Sequence, residues 1–276
     1  MPSEGSSGSG SSSGGDETAV VTTDAVTVQT GTDSTSSGGL DDATSSDSGT
    51  GSETSATECP CGEFEFCIDD ACEPAAHVIY LNFDAEGTFQ YDETASEDAT
   101  TNTHAIHESF DGSGFTPYGE GPKRDEVFAG VQADFAPYRV VITDERPVDV
   151  SYSMLVFTGD NPSGNPNLPA MGTTDCNNSV PNSIYFMFFT ETDPFPAQLQ
   201  LNLASRSIAR GIGLDLVEDE VDLMYRMGST EDLAFMDTCL PNTETAVCPI
   251  QHQIHCGGGT QNSHAELSTA WGLIES

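Results

Sequence analysis

Residues 206–217 read Arg-Ser-Ile-Ala-Arg-Gly-Ile-Gly-Leu-Asp-Leu-Val, and the run before them carries apolar residues at helical spacing. Leu199, Leu203, Ile208, Ile212 and Leu216 recur at intervals of four or five, which predicts a helix from about Pro196 to Leu216. That helix sets Arg206 and Arg210 one turn apart, so the two cations share a face. Upstream, the β-branched and aromatic run His77 to Phe83 predicts a buried strand. Pro122-Lys123-Arg124-Asp125 opens a helix whose apolar face is Val127, Val131 and Phe135 with Phe128 beside them, and Pro137 closes it. Arg139–Thr143, Tyr152–Thr158 and Ser183–Thr190 predict three more strands, separated by turn-rich stretches such as GDNPSGNPNLP. A last helix over His264–Leu273 is introduced by Ser263 with Glu266 three residues on, a capping box. The order predicts an α+β domain, one mixed twisted sheet with helices packed on it.

Charge narrows the partners. Seven Lys and Arg stand against 45 Asp and Glu, a net of −38 over 276 residues. Phosphate backbones and anionic membranes would be repelled, so nucleic acid is excluded as a partner class. Cations are favoured, and calcium is an expectation from charge alone, because no segment fits the D-x-[DN]-x-[DN]-G-x5-E loop. No run approaches the ~20 apolar residues of a membrane span.

The N-terminal quarter has a different composition. Residues 1–58 hold Ser, Gly, Thr, Asp and Glu with no Lys, Arg, Cys or aromatic residue, and so cannot bury enough apolar surface to offset ordering entropy. They read as a disordered acidic tether, of the kind that holds a lipoprotein domain off a surface. Residues 59–75 follow, with Cys59, Cys61, Cys67 and Cys72 spaced C-x-C-x5-C-x4-C. A zinc knuckle wants C-x2-C pairs, so this spacing predicts a disulfide knuckle, with three pairings open. Cys176, Cys239, Cys248 and Cys256 complete an even set of 8, which places the chain in an oxidising compartment, extracellular or at the cell envelope. A secretory signal is accordingly expected upstream of Met1, since the sequence shows no h-region. Residues 76–276 make up the folded domain.

Laid without a gap on H-E-x-x-H-x-x-G-x-x-H, the stretch that opens this section resembles the zinc helix of the metzincin metallopeptidases, with Gly213 on the motif glycine. Asp222-Leu223-Met224-Tyr225 falls where that family places its methionine turn, and HVIYLNFD, DFAPYRVVITDERP and QNSHAEL look like phrases of secreted bacterial metzincin-like proteins. The resemblance covers roughly residues 77–274 and implies a zinc-peptidase fold. It also implies a lost site: the three zinc histidines fall on Arg206, Arg210 and Leu216, and the general-base glutamate on Ser207. Arginine does not ligate and leucine has no donor atom, while serine is no general base near neutrality. One expectation is that Arg206 and Arg210 replace the metal's charge and pair with Asp215, Glu218 or Asp222. The other is that both point into solvent from a polar face.

Two histidine pairs at i, i+3, His104 with His107 and His252 with His255, are the alternative zinc donors. No G-x-S-x-G elbow occurs. The residues therefore lead to a non-catalytic metallopeptidase-like domain without a cofactor, an exported binding module for an unidentified protein or peptide. The competing class is an active secreted metallohydrolase with an atypical zinc site.

Overall fold

A computed structural model describes residues 19–22, 61–176, 178–243 and 245–274, with backbone alone at 19–22. In chain order the strands are β1 (Ala19–Thr22), β2 (Glu65–Ile68), β3 (Ala71–Pro74), β4 (His77–Asn82), β5 (Thr88–Tyr91), β6 (Thr103–His104) and β7 (Gly112–Ser113). They continue with β8 (Val140–Thr143), β9 (Ser153–Phe157), β10 (Ala170–Thr174), β11 (Ile184–Met187), β12 (Leu240–Pro241) and β13 (Thr260–Gln261). The helices are α1 (Pro122–Phe135), α2 (Ala197–Gly211), α3 (Pro249–His255) and α4 (Ser263–Trp271). The chain is α+β, with its helices packed on a mixed six-stranded sheet ordered β1-β10-β11-β9-β4-β8.

Strands β4, β8, β9 and β11 pair in parallel, and β10 turns back antiparallel to β11. Parallel strands are covered on both faces and therefore read as unbroken apolar runs. β4, β9 and β11 are buried at every position, which is why they were legible as HVIYLN, SMLVF and IYFM. One face carries α1 and α2, in a core that includes Val127, Val131, Phe135, Leu199, Leu203, Ile208 and Trp271. The other face is covered by a smaller layer built on Phe89, Phe110, Tyr152 and Phe186.

Several boundaries differ from the sequence reading. The central helix stops at Gly211 instead of Leu216. Gly213 has φ +107°, and a Cβ there would lie 2.7 Å from the Cys248 Sγ, so the chain leaves the helix through a glycine packed against a disulfide. The last helix is capped one residue earlier than the capping box predicts: the Asn262 side chain accepts the Ala265 N–H, and Gly272 at φ +75° ends the helix after Trp271. β10 and α3 have no counterpart in the sequence reading: β10 follows a Pro/Gly-rich stretch, and the QHQIH core of α3 is polar. Within the segment read as a tether, Ala19–Thr22 forms β1 along β10; the remaining tether residues and Cys59 lie outside the described residues.

The knuckle is the β2–β3 hairpin, closed by Cys61–Cys72, and Cys67 is also disulfide-bonded. Cys176–Cys248 joins the loop after β10 to the start of α3, and Cys239–Cys256 ties the end of α3 to the β12 region. No free thiol is found among the described residues. Among them, too, no helix is long and apolar enough to cross a membrane. Loop-closure entropy ranks the two domain bridges, because their spans are 72 and 17 residues. Replacing both cysteines of Cys176–Cys248 by Ser should cost about 4 kcal/mol, and the same change at Cys239–Cys256 about 3 kcal/mol. Guanidinium denaturation of the two double variants checks the order, and a cheaper loss for the longer loop would refute the entropic ranking.

Candidate functional site

Helix α2 runs through the interior, and of its 15 residues only Gln198 is not buried. A helix enclosed on all sides must find a partner for each polar side chain it carries. The Gln200 amide accepts the Tyr118 hydroxyl at 2.8 Å and donates to the Phe195 carbonyl at 3.2 Å. Asn202 Nδ2 donates to the carbonyls of Ser229 and Glu231 at 3.0 and 2.9 Å. One turn on, Arg206 Nη1 donates to the carbonyls of Tyr225 and Met227 at 2.6 and 3.3 Å. Asn202, Arg206 and Arg210 thus form an i, i+4 stripe of donors, and its first two members pin the loop 225–231 to the helix.

Both sequence expectations for the arginines are corrected at Arg206. It is not in solvent, being 2% exposed, and its guanidinium meets main-chain carbonyls instead of carboxylates. Arg210 is buried as well, at 5%. The acidic residues proposed as their partners have other duties. Glu218 is exposed. Asp222 accepts the N–H groups of Met224 and Met236 and the Ser263 hydroxyl, so it builds the turn and fastens it to the first residue of α4. Burial raises its pKa, against the pull of those three hydrogen bonds. Met224 is fully buried beneath α2, and its carbonyl accepts the Val217 N–H at 3.0 Å. Burial, and then the neighbouring Arg210 charge, bring the Arg206 guanidinium down to about 9.

The remaining positions of the zinc pattern are equally committed. Ser207 Oγ donates back to the Leu203 carbonyl at 2.7 Å, and Leu216 is part of the main core. Between β10, Tyr185 and the C-terminal half of α2 lies a cavity of about 20 Å³, lined by Gly172, Tyr185, Ser207, Arg210 and Gly211 among others. That is room for about one water. A Cβ at Gly211 would overlap the Tyr185 hydroxyl, so the helix approaches the sheet as closely as glycine permits. A tetrahedral zinc site needs three neutral nitrogen, sulfur or carboxylate donors and a bound water. Guanidinium, hydroxyl and isobutyl groups do not supply them, and zinc does not fit here.

Nor do the alternative histidine pairs converge. His104 is buried among Phe89, Phe110 and Phe186 with Nε2 3.4 Å from the Phe110 carbonyl, and burial lowers its pKa. His107 is exposed and caps the short 3-10 turn Glu108–Phe110 by accepting the Ser109 N–H. His255 contacts the Thr269 hydroxyl at 3.0 Å. His252 is 2% exposed, with Nε2 2.8 Å from Asp215 Oδ2 and Nδ1 2.8 Å from Glu266 Oε2. Two carboxylates facing both ring nitrogens require both to carry protons, so this ring is an imidazolium. The reading of His252 as an alternative zinc donor is therefore corrected, since both ring nitrogens are taken by carboxylates. Among the described residues the one cluster with metal-ligand types is Cys61, Glu65 and Cys72, and its two thiols are already joined to each other.

Comparison with protein-family models, with curated proteins and with solved structures yields no match.

Two outcomes follow from these buried charges. Arg206→Leu strips the donor from two interior carbonyls, a cost of about 1–3 kcal/mol, partly offset because the buried charge disappears with it. Urea denaturation should therefore show a net loss within that range, and a change under ~0.5 kcal/mol would mean that the loop does not depend on Arg206. Burial alone would lower the His252 pKa, but Asp215 and Glu266 outweigh it and raise it from 6.5 to about 9. A raised imidazole pKa stabilises the fold fully below its unfolded value, and that stability is lost as pH climbs through the folded one. Roughly 3 kcal/mol should therefore drain away between about pH 6.5 and 9. Thermal melts across that interval should fall in wild type and stay nearly flat in His252→Gln.

Proposed function

We propose that this chain is an exported, non-catalytic metallopeptidase-like domain that works as a binding module. The observation that carries the reading is the fate of the four zinc-pattern positions. Arg206 holds a loop by its carbonyls, Ser207 bonds within its own helix, Arg210 lines a one-water cavity and Leu216 packs in the core. Each group is spent on structure, and none offers a donor or a base for activating water.

Three further features support the metzincin-like part of the proposal. The sheet is mixed, its strand β10, second from one edge, is antiparallel to β11, and α2 lies against β10. A buried turn at Asp222–Tyr225 sits under the helix where the resemblance expects the methionine turn. Arg206 and Arg210, two of only seven basic residues, occupy the former ligand positions in the interior of a chain of net charge −38. The dense disulfides support an extracellular or envelope location, where such bridges persist.

The competing reading, an active metallohydrolase, would need donors that converge, and His104 and His107 do not. Elemental analysis of the purified chain should find far less than one zinc per molecule, and casein should survive prolonged incubation. One tightly held zinc per chain together with casein cleavage abolished by a chelator would overturn the proposal.

A further inference from the structure

The Cys-rich hairpin gathers its donor side chains on one face. Asp69 and Asp70 have φ of +50° and +62°, so β2 passes into β3 through a two-residue turn of the kind that fixes hairpin register. In that register Cys67 stands directly opposite Cys72. Side chains of a strand alternate between faces, and those of opposed residues share a face, so Glu65, Cys67 and Cys72 point the same way. All three are exposed, whereas Phe66 and Ile68 on the other face are partly buried. Cys61 joins the group through its bridge to Cys72. The Cys61 and Cys72 sulfurs and a Glu65 carboxylate oxygen lie within 4.8 Å of one another. Glu65 Oε2 also accepts the Gly62 N–H at 2.9 Å, which holds the carboxylate beside Cys61.

Three thiolates and a carboxylate make a tetrahedral zinc set. The sequence offers no C-x2-C pair here, but the hairpin brings the ligands together across two strands instead of along one. A bridged sulfur is not a thiolate, and the thiolate is the metal ligand. On this exposed face a reductant reaches the bridges from solvent. Opening them leaves the hairpin in place, because its turn, its ladder and its anchorage do not depend on sulfur. The Ala75 N–H donates to the Phe64 carbonyl at 2.8 Å, while Arg139 donates to the Pro74 carbonyl at 3.1 Å and pairs with Glu73 at 2.8 Å.

We propose that the β2–β3 hairpin is a redox-gated zinc site, closed while its cysteines are bridged and opened by a dithiol, with Cys61, Glu65, Cys67 and Cys72 as the ligands. Each bridge that opens oxidises one dithiol to its cyclic disulfide and passes two electrons and two protons to the pair of cysteine sulfurs. Cys61–Cys72 and the bridge that holds Cys67 both open in this way. The thiols of Cys61, Cys67 and Cys72 then lose their protons to solvent as zinc binds. The chain's net charge of −38 favours the approach of a dication. With all four positions filled by protein, the site leaves no place for a reacting water and is structural. The proposal does not rest on the binding-module reading, whose own zinc assay uses the oxidised chain.

The test treats the full-length chain with dithiothreitol at the lowest concentration at which alkylation and mass mapping label Cys61, Cys67 and Cys72. The dithiol is removed without air, and zinc is titrated in competition with a chromophoric zinc indicator, with cobalt in a parallel titration. The reduced chain should take up one zinc and the untreated chain none, and cobalt should bring in a thiolate-to-metal charge-transfer band. Glu65→Gln keeps every cysteine and should weaken zinc binding by about ten-fold or more, the loss that even an outer-shell partner costs. The double variant Cys61→Ser, Cys72→Ser, reduced in the same way, should bind no zinc against the indicator. Uptake that persists in the double variant would place the metal at other cysteines and overturn the proposal. So would a reduced wild-type chain that takes up no zinc, a cobalt complex without the thiolate band, or zinc affinity unchanged by Glu65→Gln.

Discussion

Burial of α2 on all sides is the constraint from which most of this structure follows. An apolar helix in that position would need only packing. This one carries amide, hydroxyl and guanidinium groups into the interior, and each must be matched where water cannot reach. For Gln200, Asn202 and Arg206 the acceptors are main-chain carbonyls, and the Tyr118 hydroxyl donates to Gln200. Phe195 precedes the helix, Ser229 and Glu231 lie along it, and Tyr225 and Met227 approach Arg206. A loop with little apolar content is held in place because its carbonyls serve as the acceptors of a buried helix. The turn at Met224 is fixed in the same way from the other side, by the Asp222 carboxylate, which receives two backbone N–H groups and the Ser263 hydroxyl.

The second organising element is a buried charge network at the C-terminal end of the zinc pattern. Asp215 leaves the end of α2, His252 sits on α3 and Glu266 on α4, and one imidazolium bridges the two carboxylates. Asp215 also accepts the Val247 N–H, and the Gln261 side chain bonds both main-chain groups of Asp215. Together with Cys176–Cys248 and Cys239–Cys256 these contacts weld the segment after Gly211, whose longest described element is the nine-residue α4, onto the end of the central helix. A net negative cluster of two carboxylates and one cation is costly to enclose unless its hydrogen bonds are all made. Here they are supplied by backbone and amide groups already ordered by the disulfides.

These two networks bear on function through what they exclude. The groups that a peptidase would devote to a metal and its water are occupied in holding the fold, and the space near them admits about one water.

The amino-acid sequence by itself determined the elements whose signals are local. Parallel strands buried on both faces read as continuous β-branched and aromatic runs, as in HVIYLN, and α1 reads from its proline start and its Val127, Val131, Phe135 spacing. The even cysteine count and the Cys-rich hairpin were legible for the same reason, and so was the absence of a zinc-ligand set at 206–216, because donor chemistry is written in residue type. The tertiary structure alone decided everything that depends on distant partners. Whether Arg206 met water, a carboxylate or a carbonyl turned on a loop 19 residues away. The partners of His252 lie 37 and 14 residues distant, with no spacing rule to connect them. β10 was hidden behind a Pro/Gly-rich stretch, and only pairing with β11 and β1 makes it a strand. Side-chain pattern reports which face of an element is apolar, but partner choice for a buried polar group is settled by which backbone the fold brings within 3 Å.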